Sequence, residues 1–280
     1  MSSIFPPVGD YALRIILGKG SFGTVYLAKD TSGKNFAIKT MNNEENAKKE
    51  IDSLKSLPIH DNIVKFVDAF FESGRYYIVL EYIEGCSLLS HLQTLGICHD
   101  EMVILPLLQQ MLNALRQIHA AGIVHMDLKP DNFMVEKATG RVVLIDFGLS
   151  ARTGSERNSP FTGTALFLPP EVARTPEGSV HLSYLAPVQN QTSVDIWSSG
   201  IVIQLMLTHK FPYTCLKSQF TIVYEIANLL KAPIVDDLQK NTSHFGLFML
   251  DIVTRCLQIY PQLRPTAQEL WKLITEYKSP

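Results

Sequence analysis

Hydrophobic and polar positions change rhythm about a third of the way along the chain. Up to residue 82 the apolar residues are largely β-branched or aromatic and come in short runs, the pattern of strands. Tyr11–Gly18 and Gly23–Lys29 flank a glycine-rich turn, and Asn35–Met41 follows the turn signal Thr31-Ser32-Gly33-Lys34. Glu44–Leu57 breaks the series, because Ile51, Leu54 and Leu57 recur three apart and predict a short helix. Ile63–Phe71 and Tyr76–Tyr82 then predict a hairpin around Ser73-Gly74.

After Gly85 the period lengthens. Asp100 is placed to cap a helix in which Ile104, Leu108, Met111, Leu115 and Ile118 make one apolar stripe. Pro106 inside that run should kink the helix or shorten its first turn. Three short β-rich pieces (Ile123–Val124, Phe133–Val135, Val142–Ile145) precede a polar loop at Ala151–Pro160. Ser193–Thr208 is apolar nearly all round and is predicted to be a central, buried helix. A strand-rich lobe of roughly 80 residues joined to a helical lobe of roughly 190 is the coarse picture, an α+β arrangement.

Composition narrows the function. The 280 residues suit one large domain or two lobes sharing an interface. A hydrophobic fraction of 46% with a mean hydropathy of +0.09 excludes a disordered scaffold. Lys and Arg number 25 against 27 Asp and Glu, so the net charge is −2, and no nucleic-acid partner is expected. Cys86, Cys98, Cys215 and Cys256 are scattered without a CxxC pair, the usage of free thiols in a reducing compartment. The start of the sequence reads as neither a signal peptide nor, with Ser2 in second place, an N-myristoylation site. The most apolar stretch, Ile201–Leu207, is interrupted by Gln204 and is far below the roughly 18 residues of a membrane span. No membrane partner is expected, and the expected location is cytoplasmic or nuclear.

Three motifs carry chemistry. Gly18-Lys19-Gly20-Ser21-Phe22-Gly23-Thr24-Val25 fits G-x-G-x-x-G-x-V, in which glycines let backbone N–H groups approach phosphate oxygens. By itself it also fits a plain glycine-rich hairpin or a dinucleotide fingerprint, although the latter needs a helix where Thr24–Leu27 continues as a strand. Ala37-Ile38-Lys39 supplies a lysine that Glu50 on the following helix can hold as a fixed cation for an α/β-phosphate pair. In His125-Met126-Asp127-Leu128-Lys129-Pro130-Asp131-Asn132, Asp127 can accept a hydroxyl proton and Lys129 can meet a transferring phosphoryl group. Asn132 can bind a hard cation. Asp146-Phe147-Gly148 offers a second carboxylate ligand for magnesium.

With these motifs in this order, the chain resembles the eukaryotic-type protein kinases from about Tyr11 to Tyr277. The resemblance continues through Pro169-Pro170-Glu171, Asp195-Ile196-Trp197-Ser198-Ser199-Gly200 and Arg264-Pro265. It implies the bilobal protein kinase fold across a single domain, 1–280. A small antiparallel β-sheet N-lobe with one main helix (11–80) leads through a hinge (81–85) to a larger, mostly α-helical C-lobe (86–277). The activation segment would be 146–171. It further implies ATP and magnesium as cofactors and a protein substrate with a serine or threonine acceptor. Leu17, Gly18, Gly20, Gly23, Val25, Ala37, Lys39, Glu81, Ile83 and Met134 would bind ATP, with the adenine between Val25 and Ala37 above and Met134 below. Asp127, Lys129, Lys39 and Glu50 would be catalytic, and Asn132 and Asp146 would hold the metal. Glu171 and Arg264 should form a buried ion pair, Asp195 should hold the backbone of the catalytic loop, and Leu80 should guard a back pocket. Leu54, Phe66, His125 and Phe147 should stack as a spine.

Lys129, and Thr164 after Gly163 with a hydroxyl able to bond Asp127 and Lys129, resemble serine/threonine rather than tyrosine kinases. Three departures stand out. Met126 replaces the usual Arg beside the catalytic Asp, Pro169 replaces Ala, and a long stretch around 175–191 reads as an exposed loop. A pseudokinase or a small-molecule phosphotransferase of related fold are the alternatives. The presence of Lys39, Asp127, Asn132 and Asp146 argues against the first, and a segment ending in Pro-Glu against the second. Met126 has no charge for a phosphate at Ser159 or Thr162 to neutralise, and Arg152 and Arg157 are poor substitutes. Activity without activation-segment phosphorylation is therefore expected.

Overall fold

The computed structural model describes residues 5–20, 23–154, 164–174, 191–214, 216 and 218–278. Ser21, Phe22, Arg157, Ser159, Thr162, Gly163, Cys215 and the expected loop around 175–191, apart from Gln191, lie outside the described residues.

Five antiparallel strands open the chain: β1 (Ala12–Gly20), β2 (Gly23–Lys29), β3 (Asn35–Met41), β4 (Phe66–Glu72) and β5 (Arg75–Glu81), in spatial order β1-β2-β3-β5-β4. The β4–β5 hairpin closes in two residues because Ser73 (φ 48°) and Gly74 (φ 79°) both take left-handed backbone, which matches the twist of the flanking strands. Alternation decides the faces. Tyr77 and Val79 join Leu13, Ala28, Phe36 and Ile38 in a small core on one side, whereas Ile78 and Leu80 turn to the main core.

Helix α1 (Glu44–Ser56) crosses from β3 to β4. Asn43 caps it by accepting from the Asn46 N–H, Glu44 and Glu45 sit at its positive end, and Lys55 sits at its negative end. Its buried Ala47 and Leu54 meet the main core. Residues 62–65 then run beside β9 (Val142–Leu144): Val64 donates to the Leu144 carbonyl and Leu144 to the Asn62 carbonyl, both at 2.9 Å. The sheet is thereby tied directly to the rest of the molecule.

From residue 85 the chain is mainly helical: α2 (Leu88–Leu95), α3 (Glu101–Ala120), α4 (Pro170–Ala173), α5 (Ser193–Thr208), α6 (Gln219–Ala227), α7 (Asp236–Gln239), α8 (His244–Cys256) and α9 (Ala267–Glu276). Small sheets interrupt it. β6 (Gly85–Ser87) pairs with β8 (Phe133–Glu136), which pairs with β9, and β7 (Ile123–Val124) pairs with β10 (Ala151–Arg152). The expected polar loop thus begins as a strand, because Ala151 and Arg152 find partners in Val124 and Ile123. Helix α3 runs unbroken through Pro106, so the proline does not shorten its first turn.

Every residue of α5 is buried. Three of its hydroxyls bond back within the helix, Ser198 donating to the Val194 carbonyl, Ser199 to that of Asp195 and Thr208 to that of Gln204, and Ser198 also reaches the Phe167 carbonyl. Gln204 reaches outward, donating to the Pro233 carbonyl and accepting from the Val235 N–H. Among the described residues, no helix is long and apolar enough to cross a membrane.

Candidate active site

Lys39 lies in β3, and Glu50 faces it from α1. The Lys39 ammonium donates to both Glu50 oxygens at 2.7 and 2.8 Å and to Asp146 Oδ1 at 2.8 Å. One cation therefore joins the sheet, its helix and the segment after β9. Burial alone would depress the lysine, but the two carboxylates outweigh it and its pKa stands raised. Burial pushes the Glu50 carboxyl up against the pull of Lys39. For Asp146 burial acts in the same upward direction, but the ammonium and the Gly148 N–H win and hold the carboxyl below its usual range. Asp146 adopts φ 57°, a left-handed conformation uncommon outside glycine. Gly148 leaves room for this cluster, since a Cβ at that position would stand 3.2 Å from each of Asp146 Oδ1, Glu50 Oε2 and Lys39 Nζ and crowd their side chains.

The second polar group forms on the loop between β7 and β8. Asp127 Oδ2 accepts from Lys129 Nζ at 2.6 Å and from Asn132 Nδ2 at 3.1 Å, and Asn132 Nδ2 also donates to the Asp127 carbonyl at 2.7 Å. Pro130 starts the one-turn 3₁₀ helix that carries Asn132 back to Asp127, at a position that needs no N–H donor. Lys129 Nζ also donates to the Thr164 hydroxyl at 3.3 Å. It is the Thr164 backbone N–H, at 3.4 Å, rather than the hydroxyl that approaches Asp127 Oδ1. The sequence expectation is corrected there: Lys129 takes the hydroxyl, leaving the amide to face the carboxylate.

Asp195, fully buried at the start of α5, braces this loop. Its two oxygens accept the N–H groups of His125 and Met126 at 2.8 Å, as expected, and Oδ2 also meets His119 Nε2 at 2.8 Å. Sequence reasoning missed His119; the last turn of α3 facing α5 is a signal only when both helices are already placed. Met126 is buried and left-handed (φ 68°). Arg264 grips Glu171 with two bonds of 2.7 Å and donates to the Ser193 carbonyl, so the expected pair is formed. The His125 and Phe147 rings meet edge to face at 5.1 Å, and Leu54, Phe66 and Phe147 belong to the same main core.

The remaining expected nucleotide residues are spread over several strands. Leu17, Gly18 and Gly20 lie on β1, and Leu17 is exposed. Gly23 opens β2 with φ 145°, and a Cβ on it would collide with the Thr40 carbonyl. Val25 stands opposite Lys39, and Ala37 opposite Leu80. Glu81 ends β5, Ile83 is buried just beyond it, and Met134 on β8 packs with Ala37 against the main core. Asn132 and Asp146 are the two residues suited to a divalent cation. With the Asn132 nitrogen committed to Asp127, its oxygen is the atom available to a hard metal, and Asp146 is 40% exposed. Among the described residues no three His, Cys, Asp or Glu side chains cluster as a metal cage; a two-donor set suits magnesium, which keeps water and phosphate ligands.

Comparison with known proteins agrees with this geometry. The sequence profile of the family described as "Protein kinase domain" matches residues 11–273. The chain is 33% identical to serine/threonine-protein kinase cds1 of Schizosaccharomyces pombe over 275 residues, covering 92% of this chain and 56% of that protein. It is 32% identical to serine/threonine-protein kinase Nek5 of Mus musculus over 270 residues, 94% of this chain and 40% of that one. Sperm motility kinase 2B of Mus musculus is 29% identical over 265 residues, 93% and 50% of the two chains. The chain spans about half the length of these relatives.

Proposed function

The chain belongs to the protein kinase domain family, and from that premise we propose that it transfers the γ-phosphoryl group of ATP to serine and threonine hydroxyls of protein substrates. One observation carries the reading: Lys39 bonds Glu50 and Asp146 at once, so parts from both halves of the chain already stand together. In this reading the glycine turn and Lys39 hold the phosphates, and the backbone of Glu81 and Ile83 addresses the adenine above Met134. Magnesium, held by Asp146 and Asn132 together with phosphate oxygens, would neutralise charge on the transferring group. Asp127 orients the acceptor hydroxyl for in-line attack, and Lys129 offsets charge on the γ-phosphoryl while its bond to Thr164 aligns the acceptor segment. The reading is tested by transfer of labelled γ-phosphate to a generic protein substrate with magnesium. Wild type should be active and Asp127→Asn nearly inactive; equal activity would overturn it.

The finer reading is that activity does not require phosphorylation of the activation segment. Its support is that an uncharged Met126 sits buried beside Asp127, while the Lys39–Glu50, Lys129–Thr164 and Arg264–Glu171 contacts are all made by the unmodified chain. The measurement is kcat/KM of phosphatase-treated protein and of a Ser159→Ala, Thr162→Ala double variant. Values near those of untreated protein are expected, and a fall of more than about tenfold in both samples would refute it.

A further inference from the structure

Outside that machinery, one guanidinium joins three parts of the chain where the sheet meets the helical region. Arg141 stands immediately before β9. Its Nη2 donates to Glu81 Oε2 at 3.1 Å and to Glu136 Oε1 at 3.3 Å, and its Nη1 donates to the Asp61 carbonyl at 3.2 Å. Both members of the Arg141–Glu81 pair are about three-quarters buried, at 24% and 23% exposure. The second Glu81 oxygen accepts the Lys65 N–H at 2.9 Å, and the Glu81 N–H donates back to the Lys65 carbonyl at 3.0 Å. Arg141 is itself fixed by its hairpin, where its N–H donates to Thr139 Oγ1 and its carbonyl accepts from the Glu136 N–H. Burial would weaken the guanidinium's charge, but Glu81 and Glu136 outweigh it and its pKa is raised.

Glu81 is the last residue of β5, and Met134 lies on β8, the strand that ends at Glu136. The Lys65 contacts hold Glu81 to the start of β4 but not to β8. The backbone just beyond is joined to β8 directly, Lys137 N–H donating to the Glu84 carbonyl at 2.8 Å and β6 pairing with β8, and Arg141 adds the tie at Glu81 itself. We propose that Arg141 is a positioning residue for adenine recognition, acting through the Glu81 carboxylate to set the separation between the backbone at 81–83 and Met134. The proposal rests on the ATP-binding reading above. A flat ring held at its edge by backbone hydrogen bonds and on one face by an apolar side chain is sensitive to that separation, because both contacts fade within fractions of an ångström. The phosphate and hydroxyl chemistry at Lys39, Asp127 and Asp146 does not pass through Arg141, so nucleotide affinity and turnover should respond differently.

The test uses the whole chain and measures Kd for ATP with magnesium and for adenosine by calorimetry, beside steady-state kinetics. Arg141→Met should raise both Kd values and the KM for ATP by about fivefold, the scale of one charge-assisted, partly buried contact. Turnover at saturating ATP should stay within about twofold of wild type, and the KM for protein substrate should not move. Arg141→Lys should recover part of the loss. Glu81→Gln should give a similar rise, and the double variant no more than the larger single one, since both act through one contact. Unchanged nucleotide affinity in folded Arg141→Met, additive effects in the double variant, or a rise for ATP without one for adenosine would each overturn the proposal. Should Arg141→Met fail to fold, Arg141→Lys and Glu81→Gln read the same affinity. A wild-type chain that binds neither ligand would overturn the ATP reading itself, whereas wild-type binding matched by the variants overturns only the role of Arg141.

Discussion

At the scale of single residues, Lys39 is tightly constrained. It is 6% exposed and shared between two carboxylates, one of them on the almost fully buried Glu50. Lys39→Met should lower transfer by about 10²-fold or more, through loss of a fixed phosphate contact. It should also lower the melting temperature, because removing one partner of a buried pair leaves an uncompensated charge at Glu50. The purified variant decides the matter: normal turnover or an unshifted melting curve would contradict the assignment. Glu50→Gln should damage activity less, since the cation keeps its charge and its bond to Asp146. Thr164 shows the limit of motif reading at this scale. Its presence beside the catalytic loop was legible, but which of its atoms faces Asp127 depended on backbone geometry.

At the scale of elements, α5 is held by close packing against α8. A Cβ on Gly200 would lie 2.6 Å from Cys256 Cβ and 2.8 Å from Leu257 Cδ2, nearer than carbon atoms tolerate. Gly200→Ala should therefore destabilise the protein by about 1–3 kcal/mol despite the better helix propensity of alanine. Denaturant unfolding measures it, and a stabilised variant would show that the two helices separate easily. The segment before β4 gives a pH prediction. His60 Nδ1 accepts the Asn62 N–H, and burial, aided by Arg116 and opposed by Asp61, lowers its pKa. A lowered folded value means the unfolded chain binds the proton more readily, so stability should fall as pH drops below about 6.5. His60→Gln should flatten that slope in melting curves between about pH 7 and pH 5; an identical slope would assign the dependence to other groups. The hairpins, α1 and the buried α5 were legible because local periodicity encodes them. β6 and β10 were not: Gly85-Cys86-Ser87 and Ala151-Arg152 lack the β-branched residues that marked the equally short β7 and β9, and only their partners make them strands.

At the scale of the whole molecule, Asp146 is where the helical region answers the sheet. It bonds Lys39 across 107 residues of sequence and remains partly exposed. Asp146→Asn should weaken metal-dependent ATP binding and reduce transfer, because an amide carries no charge for either the ammonium or a hard cation. Titrating magnesium against the variant checks this, and an unchanged metal requirement would exclude Asp146 as a ligand. The ordered series of Lys39, Asp127, Asn132 and Asp146, the alternation of the strands and the caps of the helices are properties of short stretches. Residue identity and spacing were enough for the α+β character, and the chemistry available followed from the motifs together with the resemblance to protein kinases they carry. Which distant groups meet was decided only by the fold. Arg264 finds Glu171 across 93 residues, Asp195 braces a loop about 70 residues before it, and Arg141 reaches back 60 residues to Glu81. No local pattern encodes such pairs. A buried charge takes as partner whatever the packed elements bring within about 3 Å of it, and that is known only once they are packed.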